Sequence, residues 1–264
     1  SYYLLKGRHV DMAKKSIIVA SVFGLLSSLF TAFTGDESAY NNGNFQPMKM
    51  AAYEGLFDGK KGAEIVALGV LTSGKRVGDG QDPFAFEISI PKGLSILAKR
   101  ELNAFVPGIK DLLYGNEAEG IMAVTEKMER GKAAIADLAA MQEAGKAGND
   151  QEKAAALERF KVNQDYFGFG YLDTPEEAVP PVATTYYTFH VMVYLGTFFI
   201  LLLLLFLYYS YKDKLEDKVW LLTLGFCSFF LALIASEFGW VVAEVGRQPW
   251  AIQDMLPVKV ATTN

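Results

Sequence analysis

Three runs, each about as long as a bilayer is thick, constrain this chain more than any other feature. A helix needs about 20 largely apolar residues to cross the hydrocarbon core. Ser16 to Thr34 carries no charge, Thr184 to Tyr211 is interrupted only by His190, and Val219 to about Val245 holds Glu237 and Glu244 towards its far end. The fold class this predicts is an all-α membrane protein. It is a transmembrane helix bundle, with about three spans in this chain and a large external, mostly helical loop.

Composition agrees with that mixture. The chain is 51% hydrophobic, which is too apolar for an ordinary soluble domain, yet 21% of its residues are charged, too many for a bundle wholly in lipid. A net charge of -5 with no long basic run argues against nucleic acid as a partner. The single cysteine, Cys227, lies inside an apolar run and reads as a small buried residue, so no internal disulfide, CxxC or zinc constellation is available. The opening SYYLLKGRHVDMAKK is basic but has neither an initial Met nor a signal-peptide pattern, and looks like the end of one helix running into a loop. The expectation is a fragment, or one half of a split subunit.

Orientation follows from the Lys and Arg that flank the spans. Lys6, Arg8, Lys14 and Lys15 precede the first, and Lys212, Lys214 and Lys218 fill the connection between the second and third. Both clusters are expected to be cytoplasmic. Asp213, Glu216 and Asp217 in that connection weaken a net-charge argument, but the bias is counted on Lys and Arg. The division is then a cytoplasmic connection 1–15, spans 16–34, 184–211 and 219–245, an external loop 35–183, a cytoplasmic loop 212–218 and an external segment 246–264.

The loop has internal organisation. Turn residues Asn41 to Pro47 lead into a helix-compatible MKMAAYEGLF, and FAFEISI alternates as a short strand ending at Pro91. Asn116 to Gly145 and Asp150 to Val162 read as two helices broken at GKAGND, with Asn149 or Asp150 as N-cap. Pro175, Pro180 and Pro181 punctuate the return to the membrane.

Chemistry is expected at the outer ends of the spans. Glu237, Trp240, Glu244 and Arg247 fall at offsets of zero, three, seven and ten, one polar and aromatic stripe on a helix. Ionisable groups at membrane depth are costly and mark functional sites by default. The glutamates could serve as iron ligand, as proton carrier or as ion-pair partner of Arg247, and the plain alternative is a structural ion pair near the interface. At 1.5 Å per residue, Met192 lies roughly 12 Å in from the outer start of its span and Glu237 roughly 27 Å up from the inner start of its own. Methionine and histidine are ligands a haem iron accepts. His190, two residues before Met192, points about 200° away and cannot share an iron with it. Taken alone, Met192 reads as core packing. In the loop, GDESAYNNGNFQPMKMAAYE puts Asp36, Glu37, Lys49 and Glu54 beside the membrane. Lys49 and Glu54 diverge by about 140° on a helix and need not pair. A carboxylate and an ammonium there could bind and deprotonate a hydroquinone, since quinol oxidation needs a base; solvated surface charge is the plain alternative.

Those motifs carry a family likeness. GDESAYNNGNFQPMKMAAYE, YTFHVMV and the tract ending AEVGRQPW resemble subunit I of cytochrome bd-type quinol oxidases, in matching order and over essentially the whole chain, which corresponds to about the middle half of that subunit. The loop resembles that of the long-loop subgroup. The resemblance implies that Lys49 and Glu54 act on quinol, with Asp36 beside them. It implies that Met192 is an axial ligand of a low-spin haem b and Glu244 the ligand of a high-spin haem b. His190, Glu237, Trp240, Arg247 and Trp250 would line the haem sites. Electrons would pass to haem d, where oxygen is reduced to water. Quinol protons would leave outside and protons for water come from inside, making the cycle electrogenic.

Implied partners are the remaining N-terminal helices of subunit I, subunit II, small membrane subunits, membrane quinol and lipid. The implied location is the bacterial cytoplasmic (inner) membrane, with the loop on the periplasmic side. Two departures matter. His190 stands where the family commonly has Arg, replacing an always-charged donor by a titratable one. The histidine ligands of the low-spin haem b and of haem d belong to helices outside this chain, and His9, at the cytoplasmic end, is a poor substitute. The rival readings are a haem-binding relative without oxidase activity and an inactive fragment; upstream coding sequence carrying His ligands favours the oxidase.

Overall fold

The computed structural model describes residues 1–261. Three of its helices are long and apolar enough to cross a membrane. In chain order the elements that matter are α1 (Val10–Phe45), α2 (Pro47–Glu54), β1 (Ile65–Leu71), β2 (Phe84–Ile90), α3 (Val124–Ala147), α4 (Asp150–Asn163), α5 (Val182–Tyr211), α6 (Val219–Val245), β3 (Trp250–Ile252) and β4 (Leu256–Pro257). The residues fall into two units, one of 1–38 with 187–242, the other of 39–186 with 243–264.

The first unit holds most of the three long helices. Its core is Leu4, Ala13, Leu202, Phe206, Leu215, Leu221 and Leu222. Gly24 of α1 lets Leu203 of α5 approach, since a Cβ there would lie 3.2 Å from its Cδ1. Lys14 bonds Asp213 at 2.9 Å and Glu216 at 2.5 Å, so two acidic residues of the α5–α6 connection are paired with a base at the start of α1. Large apolar side chains on α1 and α6 nevertheless remain exposed, Phe23, Phe30, Phe33, Phe229 and Phe230 among them. Cys227, expected to be buried, belongs to this exposed surface of α6. Few neighbours cover these helices within the chain, so apolar character along a span does not translate into burial here.

The second unit is helical with short antiparallel hairpins. β1 pairs with β2, which covers FAFEISI and ends just before Pro91. α4 is capped by Asn149, whose side chain accepts from the Glu152 N–H, as its sequence predicts. α3 starts at Val124, later than the expected Asn116, because Asn116 and Ile121 pair across a turn closed by Gly120 at φ 68°. One core gathers Leu113, Val124, Met128, Phe169, Leu172, Ala178 and Trp250, and another Ala51, Phe57, Ile109 and Leu112.

Glycines set how closely α3 packs. A Cβ on Gly131 would lie 2.3 Å from Gly170 N and 2.4 Å from Tyr166 O, both backbone atoms that have no rotamer to yield. Gly131→Ala is therefore expected to destabilise the loop by about 1–3 kcal/mol, the usual range for overpacking. Limited proteolysis of the assembled protein would then cut the loop faster; an unchanged cleavage rate would show that this close approach does not hold α3 in place.

Candidate functional site

In the first unit, Met192 on α5 stands against Gly239 on α6, with its Sδ 3.1 Å from where a Cβ on that glycine would be. His190 is 6% exposed and lies edge-on to Phe189 and Tyr194, with ring centroids 5.5 and 5.9 Å away. Glu237 and Trp240 are exposed, Trp240 at 64%, on the side of α6 that this unit leaves open. Asp36 is part-buried on α1 in the same unit.

In the second unit, Pro47 opens α2, and Gly55 closes it in the left-handed region at φ 67°. This short helix carries both loop candidates. Glu54 is 4% exposed, and its Oε2 is a buried oxygen with no hydrogen-bond partner among the described residues. Burial raises its carboxyl to about 8. Gln46, the residue before α2, has a buried and unpartnered Oε1 as well. Gln46 stands in the quoted loop motif, but nothing in its residue type separates it from a surface glutamine.

Lys49 is half-buried and donates to the backbone carbonyl of Ala243 at 3.5 Å. Desolvation holds its ammonium below the usual lysine range, and the nearby Arg247 guanidinium lowers it further. Lys49 and Glu54 make no ion pair with each other among the described residues, in keeping with their angular separation. Arg247 instead bonds Glu244 at 2.5 Å, three residues earlier. Trp250, expected beside a haem, is 4% exposed and packs edge-on against Phe169 with centroids 4.8 Å apart, so within this chain it is a core residue.

The candidates thus form two groups, each inside one unit. One is a thioether held against a glycine on the neighbouring helix. The other comprises Lys49 with the Glu244–Arg247 pair near its ammonium, and, on or next to the same short helix, two buried oxygens without a partner among the described residues. As a donor set these fit haem chemistry in kind. A thioether is an axial ligand that haem iron accepts, and Gly239 leaves its sulfur uncrowded. Glu244 keeps 39% of its side-chain surface exposed, so its carboxylate is open to a further partner.

Such features define a multi-spanning helical membrane protein with chemically specialised residues on α2, α5 and α6. The chain belongs to the cytochrome bd terminal oxidase subunit I family, whose model matches residues 1–264. It is 33% identical over 263 residues to the cytochrome bd-II ubiquinol oxidase subunit 1 of Escherichia coli (strain K12), covering 97% of this chain and 50% of that protein. To the cytochrome bd ubiquinol oxidase subunit 1 of Bacillus subtilis (strain 168) it is 26% identical over 258 residues, covering 97% of this chain and 42% of that one. The bd oxidase structure from Geobacillus thermodenitrificans shares the fold at a TM-score of 0.61 and 23% identity, over 100% of this chain and 45% of that chain. The chain therefore spans about half the length of the relatives it matches.

Proposed function

We propose that this chain forms part of a respiratory quinol:oxygen oxidoreductase, in which the second unit oxidises quinol. The observation that carries this reading is Glu54, a buried carboxyl with an unpartnered oxygen on the same short helix as a half-buried ammonium. A carboxyl raised to about 8 is close to matched for accepting a proton near neutral pH. In this reading Glu54 accepts the proton of a quinol hydroxyl. Lys49 stabilises the negative charge that develops on the quinol oxygen as its proton leaves.

Met192 and Glu244 would hold a low-spin and a high-spin haem b; the family resemblance adds His190, Glu237, Trp240 and Arg247 to the haem residues and Asp36 to the quinol residues. These groups, together with haem d, supply one-electron transfer and oxygen reduction when bound. The complex would include the N-terminal helices of subunit I, subunit II and small membrane subunits. It would sit in the bacterial cytoplasmic membrane with the loop on the periplasmic side, as the Lys and Arg distribution supports.

Lys49→Ala tests the assignment in the purified complex. Quinol oxidation should fall by about tenfold or more, as expected for loss of a charge-assisted contact of about 1.5–3 kcal/mol, while the haem spectrum stays unchanged. Loss of haem, or full activity, would count against a role on quinol.

A further inference from the structure

We infer that Gly239 is a positioning residue for Met192: it leaves open the space into which the thioether packs, and so fixes where the sulfur is presented. This rests on the reading of Met192 as a haem ligand.

Six glycines lie in the three long helices, and their surroundings differ. Beyond their own helix backbone, Gly35 and Gly196 have nothing within 4 Å of an added Cβ among the described residues, while Gly24 and Gly225 face the hydrocarbon side chains of Leu203 and Phe206. Gly43 faces the backbone of Ala98. Only Gly239 faces a sulfur, with Met192 Sδ at 3.1 Å and Cγ at 3.9 Å from the added atom. Glycine inside a helix is destabilising relative to alanine, so α6 gains nothing locally from having it there. What it gains is room on the side facing α5.

Methionine has three rotatable bonds, and its sulfur can settle in several places. A ligand atom cannot be so free, because a bond to iron depends on where a lone pair is delivered. The α6 backbone at Gly239 forms one wall of the sulfur's position. An alanine methyl would push the thioether by a few tenths of an ångström, enough to weaken a coordinate bond without removing the ligand. Since a methionine axial ligand raises a haem's reduction potential, weakening it should lower that potential.

The test uses the complete complex, reading optical spectra and redox titrations besides turnover. Gly239→Ala should retain haem, shift the midpoint potential of the low-spin haem downward and give a partial high-spin signal. Gly196→Ala, the same chemical change where an added Cβ meets no side chain among the described residues, should leave both unchanged. Met192→Leu separates the two levels of inference. If it leaves the low-spin signal intact, Met192 is not a ligand and the underlying reading fails. If it abolishes that signal while Gly239→Ala moves neither spectrum nor potential, the positioning role alone is overturned. Should Gly239→Ala fail to accumulate, it is combined with Met192→Ala. Recovery to the level of Met192→Ala alone supports crowding of the sulfur, and continued loss overturns it.

Discussion

Glu54→Gln is expected to lower quinol oxidation by about 100-fold or more, the usual contribution of a positioned base, and to remove an activity limb near pH 8 while the haem spectra persist. The limb follows from burial, which raises the carboxyl from its ordinary value of 4.5 to about 8. Below that point the ionised fraction of Glu54 that can accept a quinol proton shrinks as pH falls, so the wild-type rate should rise as pH increases towards it. Glutamine keeps the shape and loses the basicity. The same shift has a consequence for stability. The folded state holds this proton more tightly than the unfolded chain does, so stability is greatest below the unfolded value and declines as pH rises through the folded one. At about 1.4 kcal/mol per unit, charging Glu54 in place costs on the order of 5 kcal/mol. Glu54→Gln should then unfold at a higher temperature than wild type above about pH 8 and nearly with it at about pH 4. A variant with the wild-type pH profile would show that Glu54 is a buried structural acid with no part in the proton step.

The contrast between what the sequence discloses and what only the fold reveals follows the range of the interactions. Spans are local: an uncharged run such as Ser16 to Thr34 announces itself. Even so, α1 continues to Phe45, eleven residues past Thr34, through GDESAYNNGNF. Hydropathy registers where lipid would end, whereas a helix ends where a breaker stands, and the next one is Pro47. FAFEISI was legible by alternation, but its partner IVALGVL is a short apolar run that periodicity alone cannot separate from a buried helix. The site divides in the same way. Lys49, Glu54, Met192 and Glu244 are visible as residue types in motifs. The bond from Lys49 to the Ala243 carbonyl joins positions 194 apart, and the approach of Met192 to Gly239 crosses two helices. Burial of the Glu54 oxygen likewise depends on the packing around it, which spacing within α2 does not encode.

Met192→Leu carries the second large effect, and it reports on a different unit from Glu54. Leucine and methionine are close in volume, so the exchange in the α5–α6 contact should cost less than about 1.5 kcal/mol, and the protein should assemble. What disappears is the donor atom, since leucine has no lone pair to offer. A reduced-minus-oxidised spectrum of the purified complex should therefore lose its low-spin b-type signal completely and gain a high-spin one, with total haem conserved. Electron entry would fail even though Lys49 and Glu54 are untouched, so quinol oxidation should collapse while quinol binding stays near wild type. Glu54→Gln predicts the reverse pattern, spectra intact with proton acceptance lost. Two substitutions that give the same phenotype would mean that the residues do not divide the work between ligand and base. An unchanged low-spin signal in Met192→Leu would return Met192 to the apolar packing that a methionine in such a helix ordinarily serves.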